Sequence, residues 1–96
     1  MNREELTLQQ KCKKWLKDND VMSYLTQYPP RGTPDMIAFP ARTGGRPIII
    51  EFKTATGRVT PLQAAVHKQY RAGGYDVHIV RSLEEMKEVY HGSVGR

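Results

Sequence analysis

The 96-residue chain predicts a single α/β domain, a mixed sheet with helices on its faces. Three observations carry that reading. Residues 34–53 read as a hairpin, two apolar strands around a polar loop containing Gly44-Gly45. Ile48 to Val80 reads strand–helix–strand, which requires parallel strands and a right-handed crossover. Thr60-Pro61 and Ser82-Leu83-Glu84-Glu85 are helix starts, the first a cap before an N1 proline, the second a capping box.

The elements follow in chain order. Residues 4–18 form a helix with Leu8, Cys12, Trp15 and Leu16 at helical spacing. Lys11, Lys13, Lys14 and Lys17 lie largely off that stripe, and Glu5 lies on its side, one turn before Leu8. Asp18-Asn19-Asp20 ends the helix. Val21 to Tyr28 is a strand with Met22, Tyr24, Thr26 and Tyr28 on one face. The three prolines between Pro29 and Pro34 remove three ladder donors, so this segment is a stiff loop delivering Asp35 to the sheet. Ile48-Ile49-Ile50 is an unbroken apolar run, the mark of a strand covered on both faces. A loop with Gly57 follows, then a helix from Pro61 to about Ala72, stopped by Gly73-Gly74. Tyr75 to Val80 is the next strand. The last helix runs to about Tyr90, and residues 92–96 are expected to be a frayed tail.

Composition narrows the function classes. No run of 18 apolar residues is present, so no membrane span is expected. The first residues lack a signal peptide's plan, and a lone Cys12 allows neither an internal disulfide nor a cysteine zinc site. The expected location is intracellular. A phosphate-cradling glycine loop followed by Lys-Ser/Thr, a two-histidine zinc spacing and a Gly-x-Ser-x-Gly elbow are all missing. A domain this small buries only about 60–65% of its unfolded surface, which makes a second copy a natural source of stability.

The net charge of +5 sits in the middle of the chain. Residues 21–81 carry eight basic and three acidic side chains, and two of those acids are Asp35 and Glu51. Glu51 and Lys53 share one strand face, and hairpin pairing can bring Asp35 beside Glu51. A lone Glu-x-Lys is ordinarily a surface ion pair of little consequence. Here the charges continue a strand that otherwise looks central, where charge is costly unless paired or metal-bound. Two carboxylates and an ammonium in a basic field make a hard oxygen site for a divalent cation, suited to a polyanion.

Pro34-Asp35 with Glu51-Phe52-Lys53 resembles the motif of the PD-(D/E)XK nuclease superfamily. Gly32-Thr33-Pro34-Asp35, Thr60-Pro61-Leu62-Gln63, Gly74-Tyr75-Asp76-Val77 and Val80-Arg81-Ser82 look like the VRR-NUC family in order and spacing, from about Glu5 to Glu85. The resemblance implies a restriction-endonuclease-like αβββαβ core and an endonuclease using Mg²⁺, with Mn²⁺ as a substitute. It further implies a homodimer resolving branched DNA such as four-way Holliday junctions, in the cytoplasm of a bacterial cell or a phage-infected host. On this reading Asp35, Glu51 and the backbone carbonyl of Phe52 hold the metal, while Lys53 orients the attacking water or meets phosphate charge. Glu5 is carried over as a further acid on the first helix, ahead of Glu4, and Gln63 as an active-site polar group.

Arg31, Arg42, Arg46 and Arg58 flank the motif in loops and suit phosphate contacts. His67 falls on a stripe with Gln63 and Tyr70, opposite Leu62 and Val66, as a solvated residue or a DNA contact. His78 reads as structural and His91 as part of the tail. The candidate dimer surface is Met22, Tyr24 and Tyr28 with the loop around Pro29-Pro30. The competing class is a non-catalytic nucleic-acid-binding module using the same basic middle. Retention of Asp35, Glu51 and Lys53 argues against it, since a binder gains nothing from acids facing phosphate.

Overall fold

A computed structural model describes residues 2–26, 30–40 and 46–94. Its elements are α1 (Arg3–Asp18), β1 (Met22–Leu25), β2 (Met36–Phe39), β3 (Ile48–Phe52), α2 (Pro61–Ala72), β4 (Val77–Val80) and α3 (Leu83–Val94). The four strands lie in the order β1-β2-β3-β4. The β1–β2 and β2–β3 pairs are antiparallel, and β3–β4 is parallel across α2. This is the mixed, helix-flanked sheet that the hairpin and the crossover predict.

Alternation along the strands sorts the side chains into two layers. Met36, Ala38, Ile48, Ile50, Phe52 and Val80 face the core with Cys12 and Leu16 of α1 and Met86 of α3. Each fully buried large side chain contributes about 1.5–3 kcal/mol. Cys12 behaves as one of these apolar residues: burial pushes its thiol up to about 11, so it stays protonated and inert. Helix α1 is fastened at its start by Asn2, whose side chain accepts the Glu5 N–H at 2.9 Å. It turns into β1 through Asp20 at φ 60°, a left-handed position that Asp tolerates.

The opposite face is only partly covered. His67 of α2 reaches Glu51 of β3 there, while Met22 and Tyr24 of β1 stay 56% and 58% exposed. Phe39 joins them, paired with Met22 in register and edge-on to Tyr24 at 5.9 Å between ring centroids. The Tyr24 hydroxyl donates to the Met22 sulfur at 3.4 Å. Two of the residues expected at a dimer surface are thus outside the protein's own core. Tyr28 and Pro29 lie outside the described residues. At the outer edge of β1 the Lys13 ammonium donates to the Ser23 carbonyl at 3.2 Å.

Helix α3 departs from expectation. It continues through Gly92 to Val94 rather than ending near Tyr90, with the Ser93 hydroxyl donating to Val89 O at 2.9 Å. Stacking of Tyr90 and His91 against Trp15 gives this last turn tertiary support that outweighs the glycine. His91 therefore belongs to the helix and not to a tail. No helix among the described residues is long and apolar enough to cross a membrane.

Candidate active site

The stiff loop before β2 sets the first acid. Gly32 sits at φ +86°, and a Cβ there would meet Val66 Cγ2 at 2.9 Å and Leu62 O at 3.1 Å. Only glycine lets the loop lie this close against α2. Pro34 is fully buried. The Thr26 hydroxyl donates to Pro34 O at 2.9 Å, and Thr26 N donates to Asp35 O at 2.9 Å. Asp35 N donates to Ile50 O at 2.9 Å. The backbone of Asp35 is thus stitched between β1 and β3, and its side chain extends that stitching. Asp35 Oδ2 accepts the Phe52 N–H at 2.8 Å.

Strand β3 supplies the second acid, and Lys53 follows directly after it. Met36 pairs with Ile50 and Ile37 with Ile49, so Asp35, directly before Met36, comes to the end of β3 that carries Glu51. Glu51 is only 2% exposed and Lys53 only 7%. Burial, then a hydrogen bond and charge repulsion from Asp35, push the Glu51 carboxyl up to about 8, against the opposing pull of Lys53. Glu5 adds to that repulsion, which puts it within electrostatic reach of Glu51. Glu4 instead is exposed and lines a groove between α1 and α3 with Arg3, Lys11 and Arg81. Of the two first-helix acids, Glu5 is the one whose charge acts on Glu51.

Helix α2 corrects the reading of its polar stripe. His67 is neither solvated nor turned outward to nucleic acid. It is the buried residue of α2, 3% exposed, with Nε2 3.4 Å from Glu51 Oε1. Burial first, then Arg71 and Lys53, hold its imidazole below the ordinary value, so the ring is neutral near pH 7. Leu62, expected on the apolar face, is about half exposed. Gln63 is committed to the helix start: its Oε1 accepts Thr60 N at 3.0 Å while Thr60 Oγ1 accepts Gln63 N at 3.1 Å. That reciprocal cap uses the side-chain oxygen that the resemblance would lend to the site.

Arg81 was not a candidate, yet it braces the loop after Lys53. Its guanidinium donates to Thr54 O at 2.7 Å and Gly57 O at 2.6 Å. Glu85 Oε2 accepts the Arg81 N–H at 2.7 Å, and Ser82 Oγ accepts Glu85 N at 3.1 Å. The predicted capping box is thus shifted by one residue on its glutamate side. The signal in the sequence was an arginine at the end of a strand directly before a helix cap, a place where loop carbonyls need donors.

The arginines divide by connectivity. Arg31 precedes Asp35 and Arg58 follows Lys53, and both are exposed at the site's end of the hairpin. Arg46 lies beyond the opposite end of β3, about 16 Å from Glu51 at strand spacing, where it donates to Gly74 O at 3.0 Å. It is not beside the carboxylates. Arg42 lies outside the described residues.

Hard carboxylate oxygens, crowded enough to raise one pKa, are a donor set that a divalent cation relieves. Among the described residues no three His, Cys, Asp or Glu side chains are grouped closely enough to hold a metal ion by themselves.

No family model matches the chain, and no curated protein matches it. A solved structure described as a VRR_NUC domain superposes with a TM-score of 0.79 at 22% identity, covering 94% of this chain and 97% of that one. The likeness spans nearly the whole of both chains, so the fold expected from the motifs, that of a VRR-NUC domain, is the fold this chain adopts.

Proposed function

We propose that the chain is a divalent-metal-dependent nuclease domain that hydrolyses DNA phosphodiester bonds. The observation that carries this is the juxtaposition of Asp35, directly before β2, with Glu51 of β3, the buried Lys53 beside them, within the fold of a VRR-NUC domain. Asp35, Glu51 and the Phe52 carbonyl would hold Mg²⁺ or Mn²⁺, with Glu5 near enough to add charge. A bound divalent ion supplies Lewis acidity and an acidified water.

The chain's own groups do the rest. Asp35, fixed through Phe52 N–H, keeps its carboxylate from rotating away. Lys53 supplies a positive charge next to Glu51 that meets developing phosphate charge, a preorganised stabilisation that costs no reorganisation. Arg31 and Arg58, exposed on either side, meet flanking phosphates. Burial of Glu51, Lys53 and His67 limits the water that competes with the positioned nucleophile.

Branched DNA is the proposed substrate and a homodimer the proposed active unit. The exposed Met22–Tyr24–Phe39 surface supports the dimer: it is apolar, aromatic and on the sheet face that α2 leaves open. A two-fold pair supplies two sites for symmetry-related strands. A cleavage panel of single strands, duplexes, flaps and four-way junctions with Mg²⁺, Mn²⁺ and EDTA tests the reading. Metal-dependent cutting with preference for junctions is expected. Tight binding with no cutting under any metal would move the chain to the non-catalytic binding class.

A further inference from the structure

We propose that His67 is a positioning residue for Glu51, holding one carboxylate oxygen so that the other is presented toward Asp35. The inference rests on the reading of Asp35 and Glu51 as a metal site. Three observations lead to it. A helix that packs on a sheet normally buries aliphatic side chains, yet the buried residue of α2 is a histidine, while Leu62 on the same helix is about half exposed. The ring is turned to Glu51, with Nε2 3.4 Å from Oε1. Asp35 acts on the same carboxyl group through a hydrogen bond and its charge.

Ionisation of Glu51 fixes the tautomer. When Glu51 is ionised, as a metal ligand must be, Oε1 can only accept, so Nε2 carries the hydrogen and donates. A neutral ring in this form orients the carboxylate without adding a cation beside the metal. Outer-shell donors of this kind set ligand direction, and their loss typically costs about 10–100-fold in metal affinity. The same position keeps the ring away from phosphate: at 3% exposure it is covered by its own domain.

The test compares wild type with His67→Leu and His67→Gln. Glutamine can place a donor near the former Nε2, whereas leucine fills space without one. Binding of Mn²⁺ alone is followed by electron paramagnetic resonance of the free ion, and DNA affinity by fluorescence anisotropy in EDTA. Expected are a tenfold or greater loss of Mn²⁺ affinity for His67→Leu, a loss below threefold for His67→Gln, and DNA affinity within twofold throughout. In Glu51→Gln the leucine change should have no further effect on residual Mn²⁺ binding. Equal losses in Leu and Gln variants, unchanged Mn²⁺ affinity in both, or a parallel loss of DNA affinity would overturn the assignment.

A metal-free readout separates this inference from the metal site itself. Nitrogen-15 spectra of the wild-type ring, without metal and at pH 9, above the Glu51 value of about 8, should show the Nε2–H tautomer and a changed Nε2 shift in Glu51→Ala. If wild type binds no Mn²⁺, the metal reading fails while these spectra still decide the pairing. A ring in the Nδ1–H form, or one indifferent to Glu51→Ala, ends the proposal, as it does if His67→Leu does not fold.

Discussion

The carboxylate of Asp35 accepts the backbone N–H of Phe52 at 2.8 Å, so a side chain of the candidate site also occupies a place in the β3 hydrogen bonding. Function and stability therefore meet in one group, and two substitutions separate them. Asp35→Asn keeps an acceptor for Phe52 and should unfold in urea within about 1 kcal/mol of wild type. Asp35→Ala leaves the N–H of a buried strand without its acceptor and should cost about 1–3 kcal/mol. Cleavage should fall to background in both. Activity surviving in Asp35→Asn would remove the carboxylate from the chemistry.

Lys53→Ala should lower the single-turnover cleavage rate by about 100-fold or more, while DNA affinity in EDTA changes by a few-fold at most. The side chain is buried beside Glu51 rather than spread on the surface, so its charge acts locally. If rate and affinity fell by the same factor, Lys53 would be a phosphate anchor and nothing more.

The Glu51 carboxyl gives the metal-free protein a pH signature. Its folded value is about 8 against an ordinary 4.5. A raised value means the folded state favours the protonated form, so this stabilisation is full below about pH 4.5 and is lost as pH rises through about 8. In EDTA, the melting temperature of wild type should fall from pH 6 to pH 9 by more than that of Glu51→Gln. Mg²⁺ at pH 9 should restore wild type and leave Glu51→Gln unmoved. Parallel pH profiles for the two proteins would contradict the burial of a strained acid.

Tyr24→Glu, or Met22→Glu with Phe39→Glu, places charge on the open sheet face and should yield monomers at micromolar concentration by sedimentation. Because these side chains are exposed, the fold should survive with stability changes within about 0.5 kcal/mol. Wild type sedimenting as a monomer, yet cutting junctions at a rate linear in enzyme, would exclude the dimer.

Gly32→Ala should destabilise the domain by about 1–3 kcal/mol, since both the positive φ and the 2.9 Å approach to Val66 forbid a methyl group without movement. Cleavage should fall with it, because the same loop carries Asp35. Urea unfolding and cleavage assays report the two effects; unchanged values in both would show the loop tolerates a side chain.

The elements that were legible in the sequence are those whose signals are local. The Ile48–Ile50 run announced a strand covered on both faces, Thr60-Pro61 a helix start, and the hairpin and crossover dictated every strand pairing after β1. The fastening of Asp35 to Phe52 was not legible, since no pattern in sequence reports which backbone donor a carboxylate will meet 17 residues away. His67 was misread for a related reason. Helical periodicity gave the face correctly as opposite to Leu62 and Val66, but polarity was taken to mean solvent, and the sheet beneath presents an acid there rather than an aliphatic surface. Arg46 looked close to the motif because sequence distance ignores strand length; five extended residues carry it to the other end of the sheet.

The lysine at the outer edge of β1 has a consequence for how copies of this chain can add to one another. An open strand edge is a template that can be extended without limit, and short strands guarded by lysine are how sheets avoid such growth. Lys13 takes the Ser23 carbonyl that an incoming strand would need, and β1 is only four residues long. Growth by strand addition, the route to fibres and swapped hairpins, is closed at that margin. Contact through the Tyr24–Phe39 face, the proposed dimer surface, would have the opposite character: a two-fold partner would close it, and assembly would stop at two.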